Sequence, residues 1–350
     1  MKHRTLAIVC FGLATILVSS MAEAQYQLKN LVSNQVKQAA HTDPLLVNGW
    51  GLVHGPGTAW WISDANSGWS TLYDGSGKQL SQLKVLIPTA GNGPSSATGL
   101  NGPGSPTGTV FNGSSDFQVQ GSASLFLFAT LDGTISGWAP QANFNEAILA
   151  VDNSANKTVY TGLAITSRTS GNLLYAADQA NGKVDMYDAN FAFVKSFTDT
   201  TLPAGFAPFG IQDISGLLYV TFSNVNGGSG GFVDLFREDG TFVKTLIKGA
   251  PLNQPWGVVA APRSFGPLSG TLLISNNTNT GTINGFDPST GAFVGAIKND
   301  KGKPIVIDQL WGIAFPDNTG ANGVPNHLYF AAGPQNNLAG TLGVIAFDQD

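Results

Sequence analysis

Three tryptophans share one recurring context: Trp50 in NGWGLV, Trp256 in QPWGVV and Trp311 in QLWGIA, with Phe209 in APFGIQ at a fourth copy. Rings of this kind offer flat apolar faces, edged in tryptophan by a polar N–H, which suits stacking on a sugar, a lipid or the end of a peptide. Trp50, Trp256, Trp311 and Phe209 are therefore the candidate ligand-binding face. The competing use is packing between neighbouring repeats, with the following glycine letting two backbones approach closely. Just ahead of three of these rings stand oxygen-bearing side chains, Asn48, Asn253 and Asp308. They form a sparse candidate site for a divalent cation such as calcium, which takes about six to eight oxygens. Asp64, Asp132, Asp178 and Asn276 fall at turns, where short acceptors bond nearby backbone amides and hold the turn.

Other chemistries lack their residues. The only cysteine is Cys10, inside an N-terminal leader, so the mature chain has no thiol nucleophile, thiolate metal site or redox pair. His41, His54 and His327 show no zinc spacing. No G-x-S-x-G elbow occurs. The glycine-rich stretches NGGSGG (226–231) and GNGPSSATGLNGPGSPTG (91–108) do not open a helix after a parallel strand, as a phosphate cradle would require. The second is expected to be a long mobile loop over one face, a common place for function on a rigid scaffold.

These residues are positioned by a repeat. Glycines at 51, 108, 162, 210, 257 and 312 each lie within a short apolar run. Each is followed by a second run, such as AWWISD, NLLYAAD or TLLISNN, then by a Gly/Asn-rich turn and a third, such as KVDMYD or FVDLFR. A fourth run, such as FAFVKSF, TFVKTLI or GAFVGAI, completes all units but the last. Short β-branched and aromatic runs between turns are strands, and six four-stranded units at roughly 50-residue spacing match the blades of a propeller. The sixth unit ends after its third strand, and YQLKNLV at 26–32 has the character of the missing fourth. An all-β, six-bladed β-propeller is thus expected, its last blade closed by the N-terminal strand, which removes two exposed sheet edges.

The pattern PWGVV, LLIS, TINGFDPSTGAFV resembles the NHL-repeat type of six-bladed propeller. The wider set SPTGTVFNGSSDF, FATLDGTISGW, AVDNSANKTVYTGLAI and LYAADQANGKVDMYDANF resembles an uncharacterised family of exported bacterial propellers related to it. The resemblance spans residues 26–350 and implies the fold without an activity. A looser likeness, to gluconolactonase-like propellers, would imply a channel metal held by acidic and Asn side chains. The fit is poor, because the mature chain's glutamates are only Glu146 and Glu238, both near outer strands.

Residues 1–24, with a basic start, an apolar stretch from Leu6 to Val18 and the small-residue pattern Ala22-Glu23-Ala24, are read as a cleaved secretory signal. Residues 25–350 then form one propeller domain, addressed to the periplasm or the extracellular space. Losing Lys2, Arg4 and Glu23 leaves 15 basic against 21 acidic residues, net −6, with no basic run. That balance argues against nucleic-acid binding, and no second apolar segment is long enough to span a membrane. Three functions follow as expectations: a binding or scaffolding protein for a protein, peptide or glycan; a metal-dependent hydrolase or lactonase; or a structural component of an exported matrix.

Overall fold

A four-stranded unit with apolar side chains on both faces cannot bury itself, so the repeats stack around an axis. The computed structural model describes residues 25–80, 83–91, 103–168, 171–317 and 319–348, and the leader lies outside them. These residues form a six-bladed β-propeller. Blade 3 shows the plan, with strands Tyr160–Thr166, Leu173–Asp178, Lys183–Tyr187 and Phe193–Phe197 following one another outward in antiparallel order. Blade 4 (Phe206–Ile214 to Phe242–Lys248) and blade 5 (Pro255–Ala260 to Phe293–Ala296) repeat it, as do blade 1 from Gly49–Val53 and blade 2 from Pro106–Phe111. The first strands of successive blades touch in a closed circuit, so they line the axis.

Blade 6 is assembled from both ends of the chain. Leu310–Ala314, Leu328–Ala332 and Thr341–Asp348 form its inner three strands, and Gln25–Ser33 pairs antiparallel with Thr341–Asp348 as the fourth. Tyr26 fixes this strand further, donating its hydroxyl to the Phe265 carbonyl and accepting the Leu268 N–H at 3.2 Å on blade 5.

The repeat glycines have one physical reason. A Cβ on Gly51 would lie 2.5 Å from the Thr107 carbonyl, one on Gly108 2.3 Å from the Leu163 nitrogen, and one on Gly210 2.0 Å from the Trp256 carbonyl. Gly312 meets Trp50 in the same way and closes the ring. Each glycine thus gives up its side chain so that the next blade's inner strand can approach. In every blade the pairing of the inner two strands slips beside this position, and such bulges sharpen strand twist locally. A second device recurs sixfold. The N–H of Ala65, Leu131, Gln179, Val225, Asn277 and Gly333, each just past a second strand, donates to a carbonyl just ahead of the inner strand, at 2.8–3.0 Å.

The structure departs from expectation in two places. In blade 1, the described residues of QLSQLKVLI, 79–80 and 83–87, hold an outer strand of only Val85–Leu86. Blade 2 carries an extra hairpin, Gln118–Val119 with Ser122–Ala123, that no periodicity announced. Of the glycine-rich stretch 91–108, residues 92–102 lie outside the described residues.

Candidate functional site

The four aromatic rings come from blades 1, 4, 5 and 6 and meet at the axis. Trp50 stacks on Trp311 with centroids 3.5 Å apart and planes 18° from parallel. Trp256 meets both edge-on, at 6.2 and 6.0 Å. Phe209 completes the group, 6.2 Å from Trp50 and 5.6 Å from Trp311. The four are 3–9% exposed, so they form a plug across the channel and not an open aromatic funnel.

The repeat position is not aromatic in blades 2 and 3, which carry Thr107 and Thr161. These small side chains leave the volume that three indoles and a phenyl ring occupy. Thr107 donates its hydroxyl to the Tyr160 carbonyl at 2.7 Å. The Thr161 carbonyl accepts the indole N–H of Trp256, two blades away, at 2.9 Å. The indole N–H of Trp311 donates to Asn48 Oδ1 at 3.0 Å, and that of Trp50 has no partner among the described residues. Beside the plug, a well of about 40 Å³ is lined by Gly51, Gly108, Gly210, Gly257 and Gly312.

The candidate cation ligands are engaged separately. Asn48 holds Trp311 and donates to Asn66 Oδ1 at 3.1 Å. Asn253 donates its backbone N–H to Asn276 Oδ1 at 3.0 Å. Asp308 accepts the Gln335 N–H at 2.8 Å. Each precedes a different inner strand, and among the described residues no group of three or more His, Asp or Glu is placed to hold a metal ion. The turn acceptors do hold loops: Asp132 accepts the Ser105 N–H at 2.8 Å, and Asp178 those of Val159 and Asn181 at 3.2 and 3.3 Å.

Sequence reasoning missed a buried polar register at the centre of the third strands. It holds Thr71, Ser136, Asp185, Asp234 and Asn284 in blades 1 to 5, all nearly inaccessible to solvent. In blade 3, Asp185 is satisfied by Lys183 at 2.6 Å, Ser196 at 2.6 Å and Tyr160 at 2.9 Å. In blade 5, Asn284 donates to the Pro251 carbonyl at 3.3 Å. Blade 4 differs, because Asp234 lies beside a second carboxylate, Asp199. Burial, opposed by Thr245 and reinforced by the Asp199 charge, pushes the Asp234 carboxyl up to about 7. In blade 1, burial holds the Asp64 carboxyl well above the usual carboxylate range despite the hydroxyl that Thr71 donates at 2.8 Å, with the Asp43 charge adding to the effect. A polar residue in the middle of VDM, VDL and ING was the available signal.

The exposed phenylalanines also follow the repeat. Phe144, Phe193, Phe242 and Phe293 are 41–58% exposed; the last three each begin an outer strand, and Phe144 lies in the turn that leads to one, Ile148–Asp152. Each ring lies against a third-strand aromatic: Trp138, Tyr187, Phe236 and Phe286, at 5.6–6.3 Å. Blades 2 to 5 therefore present an apolar rim on the face where third and outer strands are joined.

A six-bladed propeller whose axis is closed by aromatic side chains is the class of protein that these features define. The chain belongs to the family of uncharacterized protein R648 of Acanthamoeba polyphaga mimivirus, to which it is 31% identical over 345 residues, covering 94% of this chain and 82% of that protein. Uncharacterized protein L690 of the same virus is 29% identical over 345 residues, covering 94% of this chain and 87% of that one. No family model matches the chain. Among solved structures, a streptogramin B lyase superposes with a TM-score of 0.55 at 12% identity, covering 92% of this chain and 98% of that one. Virginiamycin B lyase from Staphylococcus aureus gives 0.53 at 14%, covering 93% and 100%. A Bacteroides thetaiotaomicron protein of unknown function gives 0.55 at 11%, covering 93% and 77%. At these identities the likeness is one of fold. No helix among the described residues is long and apolar enough to cross a membrane.

Proposed function

We propose that this protein is an exported binding propeller, related to the NHL-repeat type, that recognises a protein, peptide or glycan with its outer surface. The observation that carries this reading is the plug: Trp50, Phe209, Trp256 and Trp311 fill the channel where a gluconolactonase-like enzyme would hold a metal and its substrate. The rim of Phe144, Phe193, Phe242 and Phe293 gives the same reading a surface of the right kind, since exposed aromatic side chains contribute strongly to interfaces. Export rests on the leader, residues 1–24.

The test sets binding against channel chemistry. Purified mature chain is analysed for divalent metals, assayed on a lactone panel, melted with and without chelator, and applied to peptide and glycan arrays. The expected result is a specific array ligand, no lactone turnover and a melting temperature unmoved by chelation. Stoichiometric metal, with turnover abolished by Asp308→Ala, would replace this reading with the hydrolase.

A further inference from the structure

Three of the exposed phenylalanines stand at a repeated irregularity of the strand ladder. In blades 3, 4 and 5 the outer strand opens on a Phe-Val pair, and its pairing with the third strand slips at the valine each time. Met186 faces Lys195 and Tyr187 faces Phe193, so Val194 has no partner residue; Val243 and Val294 are skipped in the same way. Such a bulge frees one residue from the ladder and interrupts the regular edge. Here it leaves two neighbouring apolar side chains standing out of each blade, with Val194, Val243 and Val294 41–51% exposed beside Phe193, Phe242 and Phe293. Singly scattered apolar residues on a surface need no explanation, but one bulge kept at one position of three successive repeats marks a built surface.

The pairs form one strip. The turn that leads into Phe242 sits on the outer strand of blade 3, where a Cβ on Gly240 would lie 2.6 Å from the Phe197 ring. The turn into Phe293 sits likewise on blade 4, with Gly291 against Leu246, and Lys244 reaches across to donate to the Ser289 carbonyl at 2.8 Å. Addition of a further strand is blocked along this strip, because the bulges interrupt the edge and Lys195 and Lys244 stand in it. A partner must therefore be read by side chains.

The charges narrow the partner. Each blade carries an aspartate in the turn before the pair (Asp188, Asp239, Asp287), and blades 3 and 4 carry a lysine directly after it (Lys195, Lys244). The outer strands themselves, FVKSF, FVKTLIK and FVGA, contain no acidic residue. Among the described residues, none of these side chains is in an ion pair within the chain. The strip thus has an acidic border, an apolar middle and a basic border. A two-fold axis through blade 4, the centre of the strip, brings Lys244 of one copy to the blade 4 turn of another and Lys195 to its blade 5 turn, while the Phe-Val pairs meet between them. That is the self-complementarity an isologous contact requires. A uniformly anionic or cationic partner would match only one border.

We propose that the Phe-Val strip of blades 3 to 5 is the surface by which a second copy of this chain binds, giving a two-fold dimer. This rests on the reading of the phenylalanine rim as a recognition surface and names its partner. The experiment is sedimentation equilibrium of the mature chain over a dilution series, where a species of twice the chain mass is expected at the concentrated end. Val243→Glu, exposed at the bulge, should raise the dimer dissociation constant roughly thirtyfold or more with the circular dichroism spectrum of the wild type. A charge exchange tests the pairing separately. Lys195→Glu with Lys244→Glu, and Asp239→Lys with Asp287→Lys, should each give folded monomers, and mixing the two should restore a dimer containing one of each. A wild-type chain that stays monomeric, a Val243→Glu chain that associates as tightly as wild type, or a mixture that remains monomeric overturns the assignment. If the chain is monomeric and an array ligand is lost in Val243→Glu, the second copy fails and the binding propeller stands; a monomer with no array ligand removes both.

Discussion

Replacing Asp234 with asparagine is expected to stabilise the protein, and to do so only where the carboxyl would ionise. Asp234 is fully buried beside Asp199, with the Thr245 hydroxyl near its carboxyl. Its folded-state pKa, about 7, lies above the ordinary 3.8 because burial and then the Asp199 charge disfavour the anion. Below about pH 3 both folded and unfolded chains hold the proton. As pH rises toward 7 the unfolded chain releases it while the folded chain keeps it, so stability falls, and above 7 the loss levels off. At about 1.4 kcal/mol per unit, the difference is worth up to about 4 kcal/mol. Asparagine cannot ionise, and its N–H can donate toward Asp199 as Asn284 donates to the Pro251 carbonyl in blade 5. Urea unfolding of wild type and Asp234→Asn from about pH 3 to about pH 8.5 measures this directly. The two should be nearly equal at the acid end, with the variant ahead by an amount that grows to a plateau near pH 8. A gain independent of pH, or a variant less stable at pH 8, would refute the reasoning.

Three further outcomes follow from the fold. Gly210→Ala forces a Cβ against the Trp256 carbonyl and should cost about 3 kcal/mol, read by chemical unfolding. Trp311→Ala empties part of the plug and strands the Asn48 acceptor, so a loss of about 3–5 kcal/mol is expected in the same assay. Deleting residues 25–33 removes the outer strand of blade 6 with buried Tyr26, Leu31 and Val32, at a cost of about 5 kcal/mol or more from burial alone. An unchanged melting temperature after that deletion would contradict the closure of the ring.

The architecture was legible because its causes are local and repeated. Six glycines, six apolar runs and the spare strand YQLKNLV each announce a backbone requirement that the next blade imposes, and the structure places all of them in one ring. The aromatic plug was legible only in part. Trp50, Trp256 and Trp311 identify themselves by position, but their meeting at the axis depends on what Thr107 and Thr161 leave vacant, two blades away. Sequence spacing can show which positions face the axis without showing how four unequal rings fill it. The Asp199–Asp234 pair was hidden for a related reason. Asp199 and Asp234 belong to different repeat elements, so no spacing within one repeat brings them together.

The central claim is that the axis is closed and recognition lies elsewhere. Its most direct test is hydrogen exchange at the indole N–H groups of Trp256 and Trp311 in protein labelled with ¹⁵N-tryptophan, followed by NMR with and without added calcium. Both protons are hydrogen-bonded and buried in the plug. They should exchange no faster than the backbone amides of the second strand of blade 3, Leu173–Asp178, and should not shift on adding calcium. Exchange as fast as that of surface amides, or a calcium-dependent shift confined to these indoles, would mean that the channel is open and able to hold a ligand.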